Sequence, residues 1–586
     1  MNIRHFLDEK VTHAMRLCGV PAEASPMVRP SARKEFGDYQ VNGVMPAAKL
    51  MKINPRELGQ RILEKLEWQE FAEKVELAGP GFINIHLKNT WLAATVRDAL
   101  ADTRLGVPLA AQKKRFVVDY SSVNLAKEMH VGHLRSTIIG DVISRIVEFA
   151  GHEVIRQNHV GDWGTQFGML LAHLDEVKKT SPATSVDMEL SDLEAFYIAA
   201  KKRFDEDKAF EERSRQKVVA FQQGDAAALA DLKVFIEVSL HHCEQVFERL
   251  NVLLTRADVR GESAYNSDLA GIVETLKAQN LLVTNEGAQC VFLEEFKGKE
   301  GNPLPIIVQK SGGGYLYMTT DLAALRYRSH TLKADSILVV TDSRQALHFK
   351  QLETLGRKAG FLRPESELHN ITFGMMNGPD GKPFRSRTGG NIKMIDLLNE
   401  AEERAYTLVK TKNANVDEHE LRTIASAVGV SSVKYADLSK HRTSDYVFSW
   451  DSMLAFEGNT APYMLYAYTR VAGIFRKTPS GNLENFLREH LQSASIQVQE
   501  PQERVLAMAL TQFPEVVQNA LTEYLPHYLC TYLYELAGAF MSFYEACPVL
   551  TASEDERQSR LLLAALTAKT LQRGLGLLGI STLEKM

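Results

Sequence analysis

Hydrophobic and polar positions change their period three times along the chain. Over residues 1 to about 112, Leu58, Ile62, Leu63 and Leu66 recur at helical spacing, whereas Val75-Glu76-Leu77 and Phe82 to Leu87 alternate on either side of Gly79-Pro80-Gly81. A helical period followed by a period of two across a Gly/Pro turn predicts an α+β module for 1–112. From about 113, short apolar runs take over: Phe116-Val117-Val118, Val154-Ile155, Ser336 to Thr341 and Ile371 to Met375, with helical stretches at Leu134 to Ala150 and about Leu347 to Leu355. Buried strands alternating with helices predict an α/β domain, a Rossmann-like doubly wound parallel sheet, over 113–395. Within it, 186–250 is charged, helical and glycine-poor, which reads as a helical insertion. Beyond 395 the helical period persists, giving a helical connection over 396–450 and an α-helical bundle over 451–586, punctuated at Thr478-Pro479-Ser480-Gly481 and Glu500-Pro501.

Composition narrows the function classes only slightly. Hydrophobic residues at 45% and charged residues at 24% of 586 exclude a disordered or fibrous chain. Lys+Arg at 68 against Asp+Glu at 73 leaves a net charge of -5, so an RNA partner must be met by a local patch. The five cysteines, Cys18, Cys243, Cys290, Cys530 and Cys547, include no Cys-x-x-Cys pair, which argues against a zinc knuckle or a disulfide framework. Asp8 and Glu9 interrupt the N-terminus before an apolar run of signal length, and Leu561 to Leu566 soon meets Lys569. Together these features predict a cytoplasmic protein without membrane contact.

Two motifs compete for a nucleotide. Gly574-Leu575-Gly576-Leu577-Leu578-Gly579 fits the dinucleotide fingerprint letter for letter, but that fingerprint needs a preceding strand and an acidic residue about 20 positions on, and the sequence ends at Met586. Close helix packing is the better reading. Tyr120 to His133, containing His130-Val131-Gly132-His133, instead follows a predicted strand and opens a predicted helix. Two imidazoles separated by two residues reach one phosphate chain, and Gly132 lacks the Cβ that would hold a nucleotide off the backbone. A bare His-x-Gly-His is usually a cap or a solvated pair; the surrounding fourteen residues make that reading poor. His241-His242-Cys243 places adjacent side chains on different helix faces, and Lys310-Ser311-Gly312-Gly313-Gly314 lacks the Gly-Lys-Ser/Thr ending of a P-loop, so the first predicts packing rather than a metal site and the second a turn before a strand.

His130-Val131-Gly132-His133 resembles the HIGH signature of class I aminoacyl-tRNA synthetases. Asp119-Tyr120-Ser121-Ser122, Asn124-Leu125-Ala126-Lys127, His133-Leu134-Arg135-Ser136 and Asn158-His159-Val160-Gly161-Asp162-Trp163-Gly164 are similar to the arginyl-tRNA synthetases in particular, as is Gly458 to Tyr468. The resemblance covers essentially the whole chain. It implies arginine, ATP with Mg²⁺, and arginine tRNA as partners of a monomeric enzyme, an N-terminal domain on the tRNA elbow, a bundle reading the anticodon, and tRNA binding before arginine activation. It also implies an arginine pocket of Asp119, Asn124, Glu262, Tyr317, Asp321 and Gln345. The chemistry agrees, since a planar, permanently charged guanidinium calls for carboxylates and flat partners. His130, Gly132, His133 and Lys127 are implied to meet ATP.

The family's second signature, a KMSKS loop, departs here: Gly381-Lys382-Pro383-Phe384-Arg385-Ser386-Arg387 places Ser386 where the second lysine usually stands. Phe384, Arg385 and Ser386 remain ATP-binding candidates, and Lys127, Arg385 and Arg387 are the candidate cations. Two alternatives stay open: another nucleotidyl-transferring enzyme of this fold, such as a cysteinyl-type synthetase, and an RNA-binding protein that kept the fold without activity.

Overall fold

The computed structural model describes residues 1–180, 192–298, 300–384, 392–412, 416–492 and 495–586. The chain divides into two compact units.

One unit combines 1–110 with 455–577 and 581–586. Its first part runs α1 (Ile3–Leu17), β1 (Val28–Pro30), β2 (Tyr39–Val41), α2 (Val44–Met51), α3 (Pro55–Lys65), β3 (Ala72–Ala78), β4 (Phe82–Leu87) and α4 (Asn89–Ala101). The strands form an antiparallel sheet of order β1-β2-β4-β3. Helix α3 starts where it does because the Asn54 side chain accepts the Arg56 and Glu57 N–H groups and Pro55 occupies the first turn; Leu58 and Ile62 are its buried face. The C-terminal part is helical from Ala461 to Leu577, and Arg504 ties it to the sheet through the Asp38 carboxylate (2.8 Å) and the Leu87 carbonyl (3.1 Å). Gly574 lies inside the last helix, Glu554–Leu577, against Leu533, not at a strand–helix turn.

The other unit, 111–454 with 578–580, carries the α/β fold. Its elements are β5 (Arg115–Asp119), α5 (Leu134–Phe149), β6 (Glu153–Gln157), the helices α6 (Thr165–Thr180), α7 (Leu193–Glu206), α8 (Lys208–Gln222) and α9 (Ala226–Arg249), then α10 (Asn266–Ala278), β7 (Val283–Asn285), β8 (Ala288–Lys297), β9 (Pro303–Gln309), α11 (Tyr317–Arg326), β10 (Ser336–Asp342), α12 (Ala346–Lys358), β11 (Glu367–Phe373), α13 (Met394–Lys412) and α14 (Glu418–Leu438). Strands β11-β10-β5-β6 form a fully parallel sheet in that order. From the adjacent pair β5 and β10 the chain steps outward in opposite directions, which makes the seam between them the topological switch point of a doubly wound sheet.

Two features differ from the sequence reading. Strands β7, β8 and β9 form a separate antiparallel sheet that no periodicity announced: all three residues of β7 are exposed, and β9 carries Pro303 and Pro305. The turn at Lys310 to Gly314 leads not into a strand but to a single bridge, Gln309 with Tyr315, after which α11 begins at Tyr317.

Helix α5 lies so close to the chain beyond β5 that a Cβ on Gly140 would sit 2.2 Å from Tyr120 Cβ, and Tyr120 is fully buried. Gly140→Ala should therefore destabilise this unit by about 1–3 kcal/mol, the usual cost of overpacking. Urea denaturation followed by a probe in this unit checks it; an unchanged midpoint would show that α5 has room to move.

Candidate active site

A cavity of about 630 Å³ opens over the switch point, where ligands of open α/β sheets bind. Asp119, the last residue of β5, forms its floor. Its carboxylate ion-pairs with Arg328 at 2.7 Å and accepts from Ser122 Oγ at 2.9 Å, while Arg328 also donates to Gln157 of β6 at 2.6 Å. Ser121 and Ser122 follow with φ of 71° and 47°, a left-handed conformation costly for non-glycine residues. Their N–H groups are held by Ser136 Oγ (3.1 Å) and Asn158 Oδ1 (3.0 Å).

One wall is the turn before α5. The His130 N–H donates to His133 Nδ1 and the Gly132 N–H donates to His130 Nδ1, both at 3.1 Å, and the two rings lie 4.0 Å apart. With each Nδ1 accepting, each imidazole carries its hydrogen on Nε2. Burial, then the charge of Lys127, lowers the His130 pKa; burial pushes His133 down to about 3. The pair is thus a set of neutral N–H donors rather than two cations. The structure also gives another reason for the glycine: a Cβ on residue 132 would lie 2.8 Å from His130 Cε1, so the missing atom makes room for the neighbouring imidazole.

The opposite end is acidic. Tyr317 and Asp321 project from the first two turns of α11; Tyr317 is 71% exposed, and Asp321 is bonded to His348 Nε2 at 2.6 Å. Glu262 belongs to a loop wrapped on Asp162, which accepts from the Ser263 N–H (2.9 Å) and Ser263 Oγ (2.5 Å). Burial, followed by the charges of Asp321 and Asp162, pushes the Glu262 carboxyl up to about 7.

Asp119, Asn124, His130, Gly132, His133, Glu262, Tyr317, Asp321 and Gln345 all line this one cavity. Phe384 lines an adjoining space of about 270 Å³ shared with His130 and Gly132, its ring stacked on Phe448 at 4.3 Å. Lys127 lines neither; its ammonium lies 4.0 Å from the centroid of the Tyr197 ring. Arg385, Ser386 and Arg387 lie outside the described residues. Arg328, His159, His348 and Arg344 also line the cavity, and sequence reasoning passed over them. Both ring nitrogens of His159 are buried without a hydrogen-bond partner. Only His159 carried a signal, its place in Asn158-His159-Val160-Gly161.

Residues 95–450 match the family model for the catalytic domain of class I (R) tRNA synthetases, so the fold is that of a class I synthetase catalytic domain. Residues 2–87 match the arginyl tRNA synthetase N-terminal domain and 464–586 the DALR anticodon binding domain. The arginine–tRNA ligases of Hahella chejuensis and a Marinomonas species are 55% and 56% identical to this chain, each over the full length of both proteins. Among solved structures, the arginyl-tRNA synthetase of Plasmodium falciparum superimposes with a TM-score of 0.84 at 30% identity, covering 100% of this chain and 99% of that one. That of Thermus thermophilus gives 0.80 at 25% identity with both chains fully covered. The chain belongs to the arginyl-tRNA synthetases, the arginine–tRNA ligases.

The carboxyl of Glu262 generates a pH dependence of known sign. With its pKa raised to about 7, a guanidinium bound beside it would favour the carboxylate, so such binding should release a fraction of a proton and tighten as pH rises through about 7. Calorimetry of arginine binding in buffers of different ionisation enthalpy should detect that proton. Glu262→Gln should abolish the release, and a wild-type heat independent of buffer would exclude Glu262 from the guanidinium site.

Proposed function

We propose that this cavity activates L-arginine with ATP and passes the arginyl group to the 3′-terminal adenosine of arginine tRNA. The observation that carries the reading is the single cavity itself, with two Nε2–H imidazoles at one wall and Glu262, Asp321 and Tyr317 at another. The acidic side suits the guanidinium, and Asp119, Asn124 and Gln345, which line the same cavity, are assigned to the α-amino and carboxylate groups. In the first step a carboxylate oxygen of arginine attacks the α-phosphorus of ATP. The bond to the β-phosphate breaks and diphosphate leaves. In the second, the 2′-hydroxyl of the terminal adenosine attacks the carbonyl carbon, loses its proton, and AMP departs.

No group of the protein is covalently modified, so the rate rests on placement and on stabilising phosphate charge. His130 and His133 donate hydrogen bonds there. Positive charge comes from Lys127, whose ammonium rests on the Tyr197 ring, from Arg385 and Arg387, and from Arg344, held by Asp342 at 2.7 Å with its side chain 78% exposed. Among the described residues no three His, Cys, Asp or Glu side chains converge on a metal-sized site, so Mg²⁺ is read as entering with the ATP phosphates, as part of the substrate. The N-terminal module (1–112) is assigned to the tRNA elbow, 451–586 to the anticodon, and 396–450 to their connection with the catalytic domain. No helix among the described residues is long and apolar enough to cross a membrane, and the enzyme is read as a cytoplasmic monomer in which tRNA must bind before arginine reacts.

Exchange of labelled diphosphate into ATP tests the whole reading. It should require arginine and its tRNA, with other amino acids silent. Exchange without tRNA would remove the coupling, exchange with another amino acid would refute the pocket assignment, and silence throughout would leave an RNA-binding protein. Lys127→Ala should slow adenylate formation by about 10²–10³, as loss of one charge-stabilising donor does elsewhere, with arginine affinity intact. A normal rate would take Lys127 out of the mechanism.

A further inference from the structure

The segment carrying His130 owes its extended shape to residues that follow the variant KMSKS loop in sequence. The Val131 N–H donates to the Ile392 carbonyl (3.0 Å) and the Met394 N–H donates to the Met129 carbonyl (2.8 Å), so His130 and Lys393 are antiparallel bridge partners. From this bridge the Lys393 ammonium reaches Glu128 at 3.2 Å and Asp192 at 2.9 Å. Asp192 is the N-cap of insertion helix α7 and accepts the Ala195 N–H at 3.0 Å. Five positions further along, Tyr197 of the same helix offers its ring to the Lys127 ammonium. One helix of the insertion therefore grips two consecutive residues, Lys127 and Glu128, just ahead of the His130 turn.

The two arms of this bridge differ: an exposed ion pair contributes little, and the Asp192 side chain is 53% exposed, but that of Glu128 is only 10% exposed and that of Lys393 28% exposed. The ammonium stands in a polar cavity of about 440 Å³ that Asp396 and His242 also line. Removing it takes from the nearly buried Glu128 carboxylate its partner at 3.2 Å and its link through Asp192 to α7, with His242 Nδ1 at 4.0 Å still beside it. At the neighbouring residue the Lys127 ammonium over the Tyr197 face adds a cation–π attraction. Neither Lys393, Asp192 nor Tyr197 lines the main cavity, so any influence on the reaction passes through the placement of residues 127–130.

We propose that α7 is a positioning element for ATP activation: through the Asp192–Lys393–Glu128 bridge and the Tyr197–Lys127 contact, the insertion sets where His130 and Lys127 stand relative to the phosphates. The inference rests on the adenylation reading above and makes Lys393, Asp192 and Tyr197 positioning residues for that step.

The test is steady-state diphosphate exchange by the full-length enzyme with its tRNA. Lys393→Met and Tyr197→Leu should each lower kcat by about 10–100-fold, the range expected for a displacement near 1 Å, while KM for arginine stays unchanged because its pocket is built on other elements. Asp192→Asn keeps a capping side chain but removes the ion pair, so it should fold and still lose rate. The Lys393→Met/Asp192→Asn double variant should be no slower than Lys393→Met alone, since both break one bridge. Lys393→Arg should recover most of the rate. Lys201→Gln, on the same helix, where the exposed ammonium pairs with Asp205 and lies 5.8 Å from the centroid of the Phe204 ring, should match wild type. Full rates in Lys393→Met and Tyr197→Leu would overturn the proposal, as would a loss shared by Lys201→Gln or accompanied by an equal rise in KM for arginine. A wild-type protein silent in exchange would instead refute the adenylation reading, so the two failures are distinguishable.

Discussion

A buried ion pair underlies the site. Asp119 and Arg328 are 4% and 5% exposed and meet at 2.7 Å, and the same guanidinium holds Gln157. Either charge alone would be costly in so dry a place. Together they join β5, β6 and the turn after α11, which are the end of the sheet and the helix that bears Tyr317 and Asp321. The acidic recess is thus registered against the strand ends by electrostatics that work only when both partners are present. Arg328 sits in a π-helical turn, Tyr327–Thr331, a local distortion that recurs at functional sites.

Around that pair the cavity separates two electrostatic tasks. At one end burial, and after it the charges of Asp321 and Asp162, raise the pKa of Glu262. A cationic side chain opposes that rise, which makes selection a matter of charge as much as shape. At the other end the histidines are kept neutral by burial, so in the role proposed for them they would recognise phosphate oxygens by direction rather than by net charge. The charge itself is assigned to Lys127 and the arginines. Such a division keeps arginine and ATP from competing for the same groups.

Much of this was legible in the sequence, for identifiable reasons. The run Phe116-Val117-Val118 is buried on both sides because β5 lies inside a parallel sheet, and a short apolar run is what that environment requires. His130, Gly132 and His133 stood out because their spacing and the strand–helix context agree. Glu262, Tyr317 and Asp321 are single residues whose side chains look like any surface acid or tyrosine, and the family resemblance alone distinguished them. Arg328 and His348 had no such help: each lies within a helical stretch, and its importance comes from a partner 209 or 27 positions away. The three-stranded sheet escaped notice because β7 is wholly exposed and β9 is interrupted by prolines, so its outer strands show neither a clean alternation nor an apolar run.

The order of strands in the sheet also sets a timetable. Phe116 pairs with Ser336, so the central seam closes a loop of roughly 220 residues, a long-range pairing that is slow to form compared with local hairpins and helices. On a ribosome making roughly 5–20 residues per second, about 10–40 s pass between the emergence of β5 and that of β10. Throughout that interval the histidine turn exists without the strand that completes its cavity. A nascent or truncated chain ending before Asp342 therefore carries the histidine turn and the acidic residues without Arg344, Gln345 and His348 of the same cavity, and the site is complete only after β10 has paired with β5.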